Sequence, residues 1–127
     1  IVGASHAIEL GLTAANTLAA EGIEADVIDL RTLKPMDVDI IEESLRKTGR
    51  LLVVDTGWAM GGVCAEVGCL AAERWLDYLK APVRRIGLPD VPTPAGFTLE
   101  QFYYPDVERI SGAIRDLVRA RSTVSVP

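Results

Sequence analysis

The stretch Leu51-Leu52-Val53-Val54, followed by Asp55 and then by Gly57-Trp58-Ala59-Met60-Gly61-Gly62-Val63, decides the fold. Its four consecutive apolar residues leave no polar face, which suits a central parallel strand covered by helices on both sides. Gly57, Gly61 and Gly62 predict a turn, and the segment from about Val63 to Leu79 predicts a helix. The same strand–helix unit recurs on either side. Upstream, Ala25 to Leu30 reads as a strand centred on Val27 and Ile28. Asp37 then caps a helix carrying Ile40, Ile41 and Leu45, which Gly49 ends. Earlier still, Ile1 to Ala4 is a short strand, and Ser5 caps a helix with Ile8, Leu12, Ala15 and Ala19 on one face, stopped by Gly22.

Downstream, Val83 to Ile86 is a fourth strand, and Pro89, Pro92 and Pro94 make Gly87 to Gly96 a loop. Tyr103 and Tyr104 anchor the last helix, which starts near Pro105 and keeps Val107, Ile110, Ile114, Leu117 and Val118 on one face. Such alternation predicts one α/β domain over residues 1–120, a parallel sheet between two helix layers, with a polar tail at 121–127. Ligands of such sheets gather beyond the carboxyl ends of the strands. That edge here carries Ser5 and His6, Arg31 and Thr32, and Asp55 to Gly62.

Composition narrows the function. The chain has 127 residues, 49% hydrophobic, enough for one self-sufficient core. Its longest apolar runs, about four residues against the ~20 a span needs, argue against a membrane crossing. No charged-then-apolar leader opens the sequence, so a cytoplasmic location is the expectation. Residues 1–30 hold five acids and no Lys or Arg, and residues 31–127 hold 13 acids and 13 bases. With no basic stripe, nucleic acid is not an expected partner. Cys64 and Cys69 are five apart, about 140° around a helix, so they neither bridge nor share a metal, and both read as buried, inert thiols. One histidine leaves a zinc site short of ligands.

No complete catalytic set emerges. Gly61 and Gly62 open a helix, a setting for anion binding or for a tight turn with close packing, but the spacing matches neither the dinucleotide fingerprint nor the P-loop. Glu66, one turn in, suits the helix dipole or an interface. His6 as a general base would need an orienting carboxylate, for which Asp55 is the candidate, and an activated nucleophile, which it lacks. Arg31 sits in a charged loop with Asp29, Lys34 and Asp37, and Trp58 reads as an exposed contact residue.

The run Asp29-Leu30-Arg31-Thr32-Leu33-Lys34-Pro35-Met36-Asp37 resembles a stretch of the C-terminal domain of transketolase-like thiamine diphosphate enzymes. Lys47-Thr48-Gly49-Arg50, Leu51 to Asp55, Gly57-Trp58 and Gly61-Gly62-Val63 are similar to a second segment of that domain. Ala65-Glu66, Ala81-Pro82-Val83, Pro89-Asp90-Val91-Pro92, Leu99-Glu100 and Pro105 to Ile110 continue it in register. Thr32, Thr48-Gly49-Arg50 and Gly57-Trp58 look closest to the beta subunit of the decarboxylating component of 2-oxo acid dehydrogenase complexes, whose substrates are pyruvate, branched-chain 2-oxo acids or acetoin. Ile86 to Asp90 also resembles deoxyxylulose phosphate synthase, and Cys64 stands where a glycine or another small residue is usual.

The resemblance implies a three-layer α/β/α domain whose mostly parallel sheet begins with an antiparallel strand that this sequence lacks. It implies thiamine diphosphate and magnesium in the parent enzyme but in other domains, so no catalytic, cofactor-binding or metal-ligating residue falls here. The role it implies is assembly with an alpha subunit and a second beta subunit, and docking of the acyltransferase's subunit-binding domain. A transketolase or deoxyxylulose phosphate synthase domain, or a free-standing organic-anion-binding module, is the alternative. The residues expected at an interface or anion site are Trp58, Gly61, Gly62, Glu66, Arg31 and His6.

Overall fold

The computed structural model describes residues 1–120, so the expected tail at 121–127 lies outside the described residues. Strands β1 (Val2–Gly3), β2 (Ile28–Asp29), β3 (Leu52–Trp58) and β4 (Arg84–Leu88) form one sheet of order β2-β1-β3-β4 with every pair parallel. Helices α1 (His6–Ala19), α2 (Val38–Thr48), α3 (Val63–Arg74), α4 (Phe97–Glu100) and α5 (Val107–Arg119), with a short 3-10 turn at Leu76–Tyr78, make up the rest of the regular structure among the described residues.

The double-sided character of β3 explains the three layers. Val53 packs with Val2, Ile41, Leu45, Val67 and Trp75 beneath α2 and α3. Leu52 and Val54 point the other way, to Leu18, Ile86, Ile110 and Ile114 beneath α1 and α5. Alternation along a strand sends neighbours to opposite faces, so a continuous apolar run feeds two cores at once.

Several local expectations need correction. In α1 the buried residues are Ala7, Gly11, Ala14 and Leu18, one position before the expected stripe, and Leu12 is 50% exposed. Small residues let the helix approach closely: a Cβ on Gly11 would lie 3.3 Å from Ile1 Cγ2. Periodicity alone does not say which neighbouring stripe faces inward, and here closeness outweighs bulk. Ser5 makes no side-chain cap bond and adopts φ 55°. In α2, Asp37 does cap, accepting from the Ile40 N–H at 3.3 Å, and Gly49 ends the helix in the left-handed conformation. Ile40, however, is exposed. The α3 helix stops at Arg74, where Trp75 turns inward and donates from its indole N–H to Glu42 at 3.0 Å.

Strand β2 is two residues rather than six, and β4 runs on through Gly87 and Leu88, which were expected in a loop. The last helix begins at Val107 with Asp106 as its cap, accepting from the Arg109 N–H at 2.7 Å, so Pro105 precedes the helix. Its Val118 lies outside the core at 43% exposure.

Candidate functional site

The carboxyl edge of the sheet is built by three strand ends. β3 does not stop at Asp55 but continues to Trp58, with a register shift between Val54 and Trp58 that lets Trp58 pair with Leu88. Trp58 therefore stands at a strand end rather than on a loop, and it remains 59% exposed. The chain then turns through Gly61 at φ +69° into α3. At Gly62 a Cβ would run into the Trp58 carbonyl oxygen, so the tight turn needs glycine there.

Gly61, Gly62 and Glu66 share a groove of about 550 Å³ with Leu33, Met36, Val63, Ala65 and Cys69. Leu33 and Met36 belong to the loop after β2, which an isolated antiparallel bridge between them closes. The groove wall is largely apolar, and its one ionisable carboxylate is Glu66. Among the described residues no Lys, Arg or His lines it, so they offer no cation there for an organic anion. The Ala65 and Glu66 N–H groups already donate to the Gly62 carbonyl.

The other expected site residues are tied up locally. His6 Nδ1 lies 2.8 Å from Glu9 Oε2, one turn along α1, and among the described residues no hydrogen bond joins it to Ser5 or Asp55. Arg31 donates from Nε to Asp29 Oδ2 at 2.8 Å. The Asp55 carboxylate lies under the turn, with Oδ2 3.1 Å from where a Cβ on Gly57 would be. The structure thus brings together Gly61, Gly62 and Glu66, sets Trp58 beside that turn, and leaves Arg31 and His6 in separate pairs.

The two cysteines differ, contrary to the expectation for both. Cys64 is fully buried, its Sγ 3.4 Å from the Ile86 carbonyl oxygen, and burial with the nearby Asp55 charge pushes its thiol up to about 11. Cys69 is exposed and donates to Glu73 at 3.4 Å, which raises its pKa as well. Exposure follows from helix phase: Cys64 and Val67 face the sheet, and Cys69 faces the groove.

Sequence reading also missed a second exposed apolar group, Val91, Phe97, Leu99 and Phe102, in the segment after β4. A signal existed. Of the seven aromatic residues (2 Trp, 3 Tyr, 2 Phe), four fall in the eight positions 97–104.

The fold and its edge define a three-layer parallel α/β/α domain whose charged edge residues pair locally and whose large apolar residues face outward. Residues 1–110 match the family described as transketolase, C-terminal domain, and the chain belongs to that family. Among curated relatives, it is 41% identical over 115 residues to the pyruvate dehydrogenase E1 component subunit beta of Rickettsia bellii, covering 91% of this chain and 35% of that one. It is 43% identical over 120 residues to the mitochondrial subunit beta-1 of Arabidopsis thaliana, covering 94% and 31%. With the beta subunit of acetoin:2,6-dichlorophenolindophenol oxidoreductase of Cupriavidus necator the identity is 38% over 112 residues, covering 88% and 33%. A solved split-gene transketolase, described as an inactive beta4 tetramer, superimposes with a TM-score of 0.79 at 28% identity, covering 94% of this chain and 38% of that one. The chain spans about a third of the length of these relatives. No helix among the described residues is long and apolar enough to cross a membrane.

Proposed function

We propose that this chain is the C-terminal assembly domain of the beta subunit of a thiamine diphosphate-dependent 2-oxo acid dehydrogenase, with residues 1–120 forming the domain. The observation that carries the reading is the carboxyl edge itself. In an enzyme of this fold class that edge would converge charged groups on a ligand, whereas here Arg31 and His6 pair with their own neighbours and Trp58 projects outward. A large exposed indole held at a strand end suits a protein contact.

The residues present do not fit thiamine diphosphate with its magnesium. Among the described residues no three His, Cys, Asp or Glu side chains group as ligands, and the groove beside Gly61 and Gly62 carries a carboxylate where a diphosphate would need cations. The whole enzyme would carry that cofactor in other domains and oxidatively decarboxylate a 2-oxo acid in the cytoplasm. Its partners would be an alpha subunit, a second beta subunit and the subunit-binding domain of the acyltransferase. The likeness to a split-gene transketolase favours a transketolase domain as the second reading, but at 28% identity it ranks below the 38–43% shared with dehydrogenase and oxidoreductase beta subunits.

A chimera tests this. The C-terminal third of a pyruvate dehydrogenase beta subunit is replaced by this chain and mixed with the matching alpha subunit. The expected result is a chimera that assembles and turns over pyruvate, while the 127-residue chain alone gives none. A chimera that folds but does not bind the alpha subunit would overturn the proposal.

A further inference from the structure

Strand β4 ends the sheet on one side: it pairs with β3, and among the described residues no strand lies on its other flank. The ladder decides which backbone groups that flank presents. The Arg84 N–H donates to the Leu51 carbonyl at 3.0 Å, so Arg84 and Ile86 bond inward, and by alternation the N–H and C=O of Arg85 and Gly87 point outward. Register also separates the two arginine side chains. Arg84 is level with Leu52, on the face beneath α1 and α5, and Arg85 is level with Val53, on the face beneath α2 and α3. The Arg85 Cδ lies 3.4 Å from where a Cβ on Gly68 of α3 would stand, and its Nη1 donates to the Ala59 carbonyl at 3.3 Å.

Between β4 and α5 lies a groove of about 340 Å³, lined by Arg84, Arg85 and Arg109, by the small residues Gly112 and Ala113, and by one carboxylate among the described residues, Asp116. A Cβ on Gly112 would meet nothing within 4 Å, so the groove is open there. The three arginines are exposed, and among the described residues none forms an ion pair. This flank is therefore positive on a chain whose net charge is −5. Charged side chains keep unsuitable strands off a sheet edge, and their sign selects what adds. An apolar strand would leave both guanidinium groups facing carbon. A second copy laid edge to edge would set arginine against arginine, and residues 121–127 carry Arg121 and no acid.

We propose that the outer edge of β4 is a strand-addition site for an acidic protein segment, an extended stretch carrying two adjacent carboxylates. A strand added there would lie about 4.8 Å from β4, with directly opposed Cβ atoms about 4.5–5.5 Å apart, within reach of an arginine side chain. The outward backbone groups of Arg85 and Gly87 hold the segment, and the arginines choose it. The two acids are adjacent because successive residues of a strand face opposite ways, as Arg84 and Arg85 do. The carboxylate on the α5 side enters the groove that Arg109 lines. This flank is separate from the carboxyl edge at Trp58, and the proposal does not depend on the dehydrogenase reading.

The test is calorimetric titration of the 127-residue chain with a synthetic hexapeptide of valine and threonine that has two adjacent glutamates at its centre, with hydrogen exchange followed at the Arg85 amide. The expected result is saturable one-to-one binding that weakens as salt is raised, together with slowed exchange at that amide. Arg84→Glu/Arg85→Glu should weaken binding roughly tenfold or more, with the urea midpoint unchanged because both side chains are exposed, whereas Lys34→Glu, away from this edge, should not. The same peptide N-methylated at both glutamates keeps its charge but loses the bonding N–H groups, and it should not bind. No binding of the glutamate peptide at about 1 mM would overturn the proposal. Equal binding of the N-methylated peptide, equal binding of a peptide with two lysines in place of the glutamates, or an unchanged Arg85 amide would each overturn it as well.

Discussion

Replacing Leu52 by Ala tests the double-sided strand on which the fold depends, and Leu12→Ala supplies the internal comparison. Leu52 is 2% exposed and sits in the core with Leu18, Val54, Ile86 and Ile110. The change removes three carbons, worth roughly 2.4 kcal/mol at about 0.8 kcal/mol for each buried carbon. Partial collapse around the site leaves a void of roughly 40 Å³, which at about 24 cal/mol per Å³ adds roughly 1 kcal/mol. The expected cost is therefore about 3.5 kcal/mol. Leu12, by contrast, is 50% exposed and lines no void, so the same chemical change forfeits only about half of the transfer energy, near 1 kcal/mol. Alanine's better helix propensity offsets part of that. Urea unfolding of the two variants and the wild type, followed by circular dichroism with the slope checked for constancy, measures both. Equal costs at the two positions would refute the assigned phase of α1, and a loss below about 1 kcal/mol at Leu52 would refute its central place in the sheet.

Native thiol titration should find one reactive cysteine, Cys69, and a second only in denaturant, because Cys64 is fully buried with its thiol pushed up to about 11. Two fast thiols in the native chain would contradict that packing. The Asp26 carboxyl is held below its ordinary range, first by the Lys47 ammonium at 2.8 Å and then by the Ser44 hydroxyl at 2.9 Å. A depressed folded pKa gives stability that is complete above the unfolded value and is lost as pH falls through the folded one. Asp26→Asn should accordingly destabilise the chain at neutral pH, with the gap closing below about pH 4, and a gap independent of pH would refute the pairing. Trp58→Ala should leave fold stability within ~1 kcal/mol while weakening association with the rest of the enzyme roughly 30-fold, and a large fall in melting temperature with unchanged association would place Trp58 in the core.

The layered fold was legible in the residues because its cause is local. Leu51 to Val54 are apolar without interruption, Asp37 caps α2, Gly49 ends it, and these signals need no knowledge of distant contacts. The family resemblance was legible for a related reason, since its motifs sit at those same strand ends and turns. What Trp58 touches, and whether Gly61 and Gly62 hold an anion, was less accessible. The groove's other wall, Leu33 and Met36, comes from a loop thirty or more positions upstream, and only folding brings it to Glu66.

The order of elements, their parallel arrangement and the capping of α2 were thus determined by the sequence itself, through hydrophobic periodicity and cap chemistry acting within a few residues. Tertiary structure alone decided that α1 turns Ala7, Gly11 and Ala14 inward and leaves Leu12 in water. It also decided that β3 runs on to Trp58, which shifts register to pair with Leu88. Each depends on how closely two backbones approach, as when small residues admit a helix to the sheet or a strand shifts register to reach a neighbour. Such distances are properties of pairs of elements, which no single stretch of the chain contains.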